Sequence, residues 1–183
     1  LLEVSRTGEK RGSLLDLLDH TRTAMGARLL REWVQAPLIE KEPILARQAG
    51  VATLVRDGSL GDQIVECLRQ VRDIERLSSR LPLGRVHGRD LRALSGSLAA
   101  VPVLKGLLSG IEALRFRELD QDLDEDALKK MADRIDETIV DEPPLSTGEG
   151  GVIRDGYDPA LDELRSVSRD GVSWIASFQA QEQ

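Results

Sequence analysis

Aromatic side chains are almost missing from this chain: two Phe, two Trp and one Tyr make up 3% of its 183 residues. With Leu, Ala, Arg and Glu abundant, that scarcity points to an all-α fold. Cysteine occurs once, at Cys67, which excludes an internal disulfide; on a strongly helical stretch it reads as a buried, reduced thiol of a cytosolic protein. The only histidines, His20 and His87, lie far apart and no Cys or His is spaced around Cys67, so no zinc-ligand pattern exists and both histidines read as structural. No Gly-Lys dipeptide occurs anywhere, which removes the loop that cradles nucleotide phosphates. The glycine-rich Gly148-Glu149-Gly150-Gly151 sets an acid where phosphates would sit and reads as a flexible loop. No apolar run approaches the ~18 residues of a membrane span, and the N-terminus lacks the layout of a signal peptide. The expectation is a cytoplasmic chain with no membrane partner. Its abrupt opening on Leu-Leu-Glu-Val-Ser-Arg reads as the continuation of something upstream.

What is present is a balanced globular composition, 40% apolar and 31% charged, enough for one domain with a core or for two small helical lobes. The net charge of −7 repels a polyphosphate, and no basic cluster stands out to offset it. Carboxylates gather at Asp120, Asp122, Asp124, Glu125 and Asp126; a paired-carboxylate hydrolase stays open, but a solvated helix face is the simpler reading.

Periodicity organises the rest. A short helix is expected over residues 14–18, then a longer one capped by Asp19, Thr21 or Thr23, with Met25, Leu29 and Trp33 spaced by four and Pro37 ending it. Pro43 suits the first turn of the next helix, which Asp57-Gly58 stops. From a Ser59 cap, Ile64, Leu68, Val71, Ile74, Leu77 and Leu81 recur at steps of three and four, predicting one amphipathic helix with Glu66/Arg69 and Asp73/Arg76 pairs on its polar side. After Pro82 and Gly84 the pattern resumes at Asp90, and Pro102 inside it should kink the helix or start a new one. Leu119, Leu123, Leu128, Met131, Ile135 and Ile139 give a further helical run. Residues 141–157 form the one long irregular segment, of the kind that tends to be functional or mobile. Beyond it Asp158 and Pro159 open a helix carrying Leu161, Leu164, Val172, Ile175 and Phe178. No fixed-period repeat occurs, which leaves an irregular multi-helix bundle.

The run from Gly12-Ser13-Leu14-Leu15-Asp16-Leu17-Leu18 through Met25-Gly26-Ala27-Arg28-Leu29-Leu30-Arg31-Glu32-Trp33 closely resembles the opening of the core domain of MutS-type DNA mismatch-repair proteins. Gly150-Gly151-Val152-Ile153-Arg154-Asp155-Gly156-Tyr157-Asp158-Pro159, continuing to Leu164-Arg165, resembles the loop and helix start by which that domain approaches its clamp. Val71-Arg72-Asp73-Ile74-Glu75-Arg76-Leu77, Gly84-Arg85 and Arg89-Asp90-Leu91 also look like the family. The resemblance spans nearly the whole chain, with residues 100–147 alike only in helical character. His87-Gly88 stands where the family has Asn-Pro, and Lys41-Glu42 precedes Pro43 where an Asp cap is usual. Both departures concern helix starts.

The resemblance implies a core, or lever, domain in residues 1–157 and, over 158–183, the start of a helix leading toward a clamp. It implies a parent that is a homodimeric ATPase using ATP and Mg, acting on duplex DNA through its connector, clamp and ATPase domains. This segment would hold no catalytic, cofactor-binding or metal residues and would not itself be an enzyme; its role would be to transmit movement, with Pro102 and the 141–157 loop as hinge candidates. Which of its residues, if any, touch DNA is not indicated. The family's Phe-x-Glu wedge has a look-alike in Phe116-Arg117-Glu118, but a charged helical setting makes that match accidental. An independent helical adaptor binding partner proteins through an apolar groove is the alternative from another class. On the resemblance, Leu161, Leu164 and Val167 should pack on the core, while Val172, Ile175 and Phe178 should lie exposed, so that the chain self-associates through residues 172–183 or frays there.

Overall fold

The computed structural model describes residues 1–3, 9–122 and 124–169; expectations about 172–183 lie outside them. Across the described residues the fold is an all-α multi-helix bundle without a strand, and the only β pairing is one antiparallel bridge between Ile139 and Ile153. In chain order α1 spans Leu14–Leu18, α2 Ala24–Gln35, α3 Lys41–Arg56, α4 Gly58–Gln70, α5 Ile74–Arg80, α6 Gly88–Leu108, α7 Leu114–Asp122 and α8 Glu125–Thr138. A last helix, α9, runs over 159–169.

The helix starts follow from short oxygen-bearing side chains. Ser13 accepts from the Asp16 amide and Thr23 from that of Gly26, satisfying donors that the first turn leaves free. Several expectations need correcting. The helix expected from Ser59 to Leu81 is two helices: Asp57, not Ser59, caps α4 by accepting from Leu60, and Asp73 caps α5 by accepting from Arg76. The break between them is fastened to α6, because the Arg72 amide donates to Ser97 Oγ at 2.9 Å, deep in the core. Asp73 therefore does not form the expected side-chain pair with Arg76, whereas Glu66 and Arg69 do pair. The acidic run likewise divides, Asp124 capping α8 through the Ala127 amide. Of the two outcomes expected at Pro102, a kink or a new helix, the new helix does not occur; α6 begins at Gly88 and continues through Pro102 to Leu108.

α6 is the axis. α8 packs along it most extensively, and α4, α5 and α7 also touch it. In the first half of α6, Leu94 and Leu98 join Leu77 and Ala132 in a buried cluster edged by Ile74, Leu128 and Ile135. At its C-terminal end Leu108 joins Ile64 and Ile111, which gather Leu54, Leu68, Leu104 and Phe116. Cys67 is buried between α4 and α6, its thiol donating to the Ala100 carbonyl, and burial pushes that thiol up. With a mean hydropathy of 1.3 over an 18-residue window, α6 is, contrary to the sequence reading, long and apolar enough to cross a membrane; here that apolarity faces α4, α5 and α8.

Candidate functional site

An α-helix leaves its last carbonyls without partners, and at the end of α8 a single distant residue takes up three of them. The Arg154 amide donates to the Thr138 carbonyl at 2.8 Å. Its guanidinium donates from Nε to the Asp136 carbonyl and from Nη2 to the Ile139 carbonyl, each at 3.1 Å. Nη2 also meets the Asp141 carboxylate at 2.9 Å. A planar fork of fixed donors can serve such a set of acceptors at once.

Asp141 is shared. Arg92 of α6 reaches it at 3.2 Å and also pairs with Asp136, which in turn accepts from Ser95 Oγ. The Arg154 hydrogen bond, then the Arg154 charge, with Arg92 adding to them, hold the Asp141 carboxyl below its ordinary range against some desolvation. One turn back, Arg89 Nε donates to the Pro143 carbonyl at 2.8 Å. Pro143 is buried against the start of α6, where a Cβ added to Gly88 would come within 2.7 Å of the Pro143 ring and 3.0 Å of Val152. The His87-Gly88 departure therefore leaves room for the loop, and Asp90 accepts from the His87 amide at 3.1 Å to cap the helix. By contrast Glu40, at the start of α3, makes no side-chain cap bond.

The far end of the 141–157 loop is fastened to α9 in the same manner. Arg165 donates to the Ile153 carbonyl at 2.9 Å and pairs with Asp155 at 2.7 Å. The Gly156 amide donates to Asp162 at 2.8 Å, and Asp158 accepts from the Ala160 and Leu161 amides as the expected cap. Leu164 and Val167, expected against the core, are 68% and 65% exposed, because α9 leaves the bundle within its first turns. The loop is thus tied at both ends by arginines that the sequence reading did not single out. They bond carbonyls and carboxylates remote in sequence, which leaves no local signal.

A second polar tie joins α2 to the start of α5: Arg28 meets Asp73 at 2.7 Å and Glu75 at 2.6 Å. It holds the Asp73 carboxyl down to about 2, and the Arg28 guanidinium is raised further above its ordinary range. Beside it a groove of about 270 Å³ is lined by Leu29, Trp33, Val51, Leu54, Phe116 and Leu119, with Arg47 stacked 3.7 Å from the Trp33 ring centre. The Phe116 ring packs at Gly50 and on the Ile64 cluster, and Arg115 pairs with Glu118. Phe116-Arg117-Glu118 is therefore part of the bundle and not a projecting wedge.

Among the described residues no three His, Cys, Asp or Glu side chains converge to hold a metal ion. Nor does the glycine-rich loop fit a nucleotide phosphate: in Gly148-Glu149-Gly150-Gly151 the Glu149 carboxylate folds back to accept from the Ser146 amide at 3.3 Å, placing negative charge where a phosphate would need donors.

Across residues 1–182 the chain matches the model for MutS domain III. It belongs to that family. Over 182 residues it is 43% identical to the DNA mismatch repair protein MutS of Exiguobacterium sp., a match covering 100% of the chain and 21% of the relative. The Symbiobacterium thermophilum protein of the same name is 43% identical over 177 residues, 97% of the chain and 20% of the relative. The one from Streptococcus thermophilus is 42% identical over 182 residues, again 100% and 21%. The chain spans about a fifth of the length of these relatives. Within MutS domain III, the two quoted stretches that carry most of the resemblance form the α1–α2 start and the tied loop that launches α9.

Proposed function

We propose that the chain is the lever of a MutS-type mismatch-repair ATPase, passing movement between an ATPase and a DNA clamp supplied by the rest of a homodimeric, cytoplasmic parent. ATP and Mg would be held elsewhere in that parent, and duplex DNA would be gripped through its other domains. The observation that carries this reading is the way α9 leaves the bundle: its base is tied by Asp158, Asp162 and Arg165, while Leu164 and Val167 face outward. A helix rooted at one end and free along its length moves with the body to which it is rooted. The family match over residues 1–182 supports this reading over the adaptor and hydrolase alternatives.

The test is to insert a flexible Gly-Ser segment between Tyr157 and Asp158 in the intact protein that carries this chain. Mismatched duplex should still be bound, and ATP should no longer drive the protein off the mismatch. Normal ATP-driven release in the inserted variant would refute the lever reading.

A further inference from the structure

The geometry points to a positional latch: Arg154, bonded to the end of α8 and to Asp141, with Arg165 beyond it, sets the direction in which α9 leaves the bundle. The contacts form an unbroken series. Arg92 on α6 holds Asp136 and Asp141; Asp141 and three α8-end carbonyls hold Arg154; the neighbouring Ile153 carbonyl and Asp155 carboxylate hold Arg165 on α9. Two amide bonds, Val140 to the Val152 carbonyl and Arg154 to the Thr138 carbonyl, fix the register of the returning segment beside α8. Apolar packing at the junction is local: Ile139 and Pro143 are buried there, while neither of the two larger hydrophobic clusters includes a residue beyond Ile135. Direction at this junction therefore depends chiefly on arginine geometry. A lysine could carry the charge but not the fork that reaches the Asp136 and Ile139 carbonyls together. Arg154 and Arg165 act as positioning residues.

The latch concerns residues 139–165 alone, and only its consequence in the intact protein rests on the lever reading above. Hydrogen exchange of the intact protein tests it. In Arg154→Ala, amides of residues 152–165 should exchange at least about tenfold faster while those of α4 and α6 keep their rates. Arg154→Lys should behave like the alanine variant. Asp141→Asn should loosen the same segment by less, since the bonds from Arg154 to the carbonyls persist. The latch is overturned if Arg154→Ala leaves residues 152–165 at wild-type rates, if α4 and α6 loosen equally, or if Arg154→Lys restores protection. ATP-driven release of mismatched DNA, measured on the same variants, separates the two ideas: local loosening with unchanged release upholds the latch and removes the lever role.

Discussion

Two flanks of the bundle are built differently. Where α5 and α8 meet α6 the contact is closed, with Leu94 and Leu98 each 4% exposed and the serines among them bonded to carbonyls of α6 and α8. Around the groove between α2, α3 and α7 it is open. α2 carries an apolar stripe at four-residue steps yet has no buried residue, and Arg28 fastens it to Asp73 and Glu75 of the α5 start. Amphipathic periodicity therefore states that a face is apolar but not that the same chain covers it. The closed flank should set the stability of the bundle, whereas the open flank contributes shape and a surface whose apolar area its own residues only half cover.

The largest effect should come from Leu98→Ala. This side chain sits at the centre of the Leu77, Leu94 and Ala132 cluster, and its truncation removes transfer energy and leaves a cavity between helices whose backbones are fixed on every side. A loss of about 2–5 kcal/mol is expected from chemical denaturation. A loss below about 1 kcal/mol would mean that the closed flank is not the stability centre and that the contrast between flanks fails.

Much of this division could be read beforehand and some could not, for identifiable reasons. The helix over residues 14–18 was legible, and Thr23 was one of three candidate caps for the next helix, with Asp19 and Thr21 beside it; the periodicity alone does not choose among them. The break at Arg72 was hidden because Val71, Ile74 and Leu77 keep three-residue steps across it, so the periodicity survives a capped restart. The signal that could have shown it is Asp73 followed by Glu75, a cap with an acid in the first turn, and Asp124 followed by Glu125 and Asp126 repeats it at α8. The sequence left open whether the helix continues through Pro102 or restarts there; the surrounding contacts with α4 and α8, which outweigh one missing N–H and a ring clash, decide for continuation. The arginines that tie the 141–157 loop bond main-chain carbonyls up to 54 residues away, and nothing in their local sequence announces it.

A middle-sized effect, and one that depends on pH, should follow from Asp73→Asn. Asparagine still caps α5 well, so the substitution removes the charge facing Arg28 while sparing the helix start. Asp73 has its folded-state carboxyl lowered from 3.8 to about 2, so its stabilisation is fully present above the unfolded value and is lost as pH falls toward about 2. Thermal midpoints of the two proteins should differ at neutral pH, converge between about pH 4 and 2, and differ less in high salt. Parallel curves down to pH 2 would show that the Arg28 tie does not hold the open flank in solution.

The smallest effect should be that of Val51→Ala, on α3 at the rim of the groove formed with α2 and α7. Val51 is 62% exposed and shares the open groove with Leu29 and Trp33, so little transfer energy is lost with its two methyl groups. Its position inside α3 acts in the opposite sense, because alanine exceeds valine in helix propensity by about 0.5 kcal/mol. The two contributions nearly cancel, and denaturation should place the variant within about 0.5 kcal/mol of the parent chain. A cost above about 1.5 kcal/mol would be the size expected of a closed core position. It would show that the groove shuts in solution, with Trp33 and Phe116 brought together over α3, and that both flanks of the bundle are buried alike.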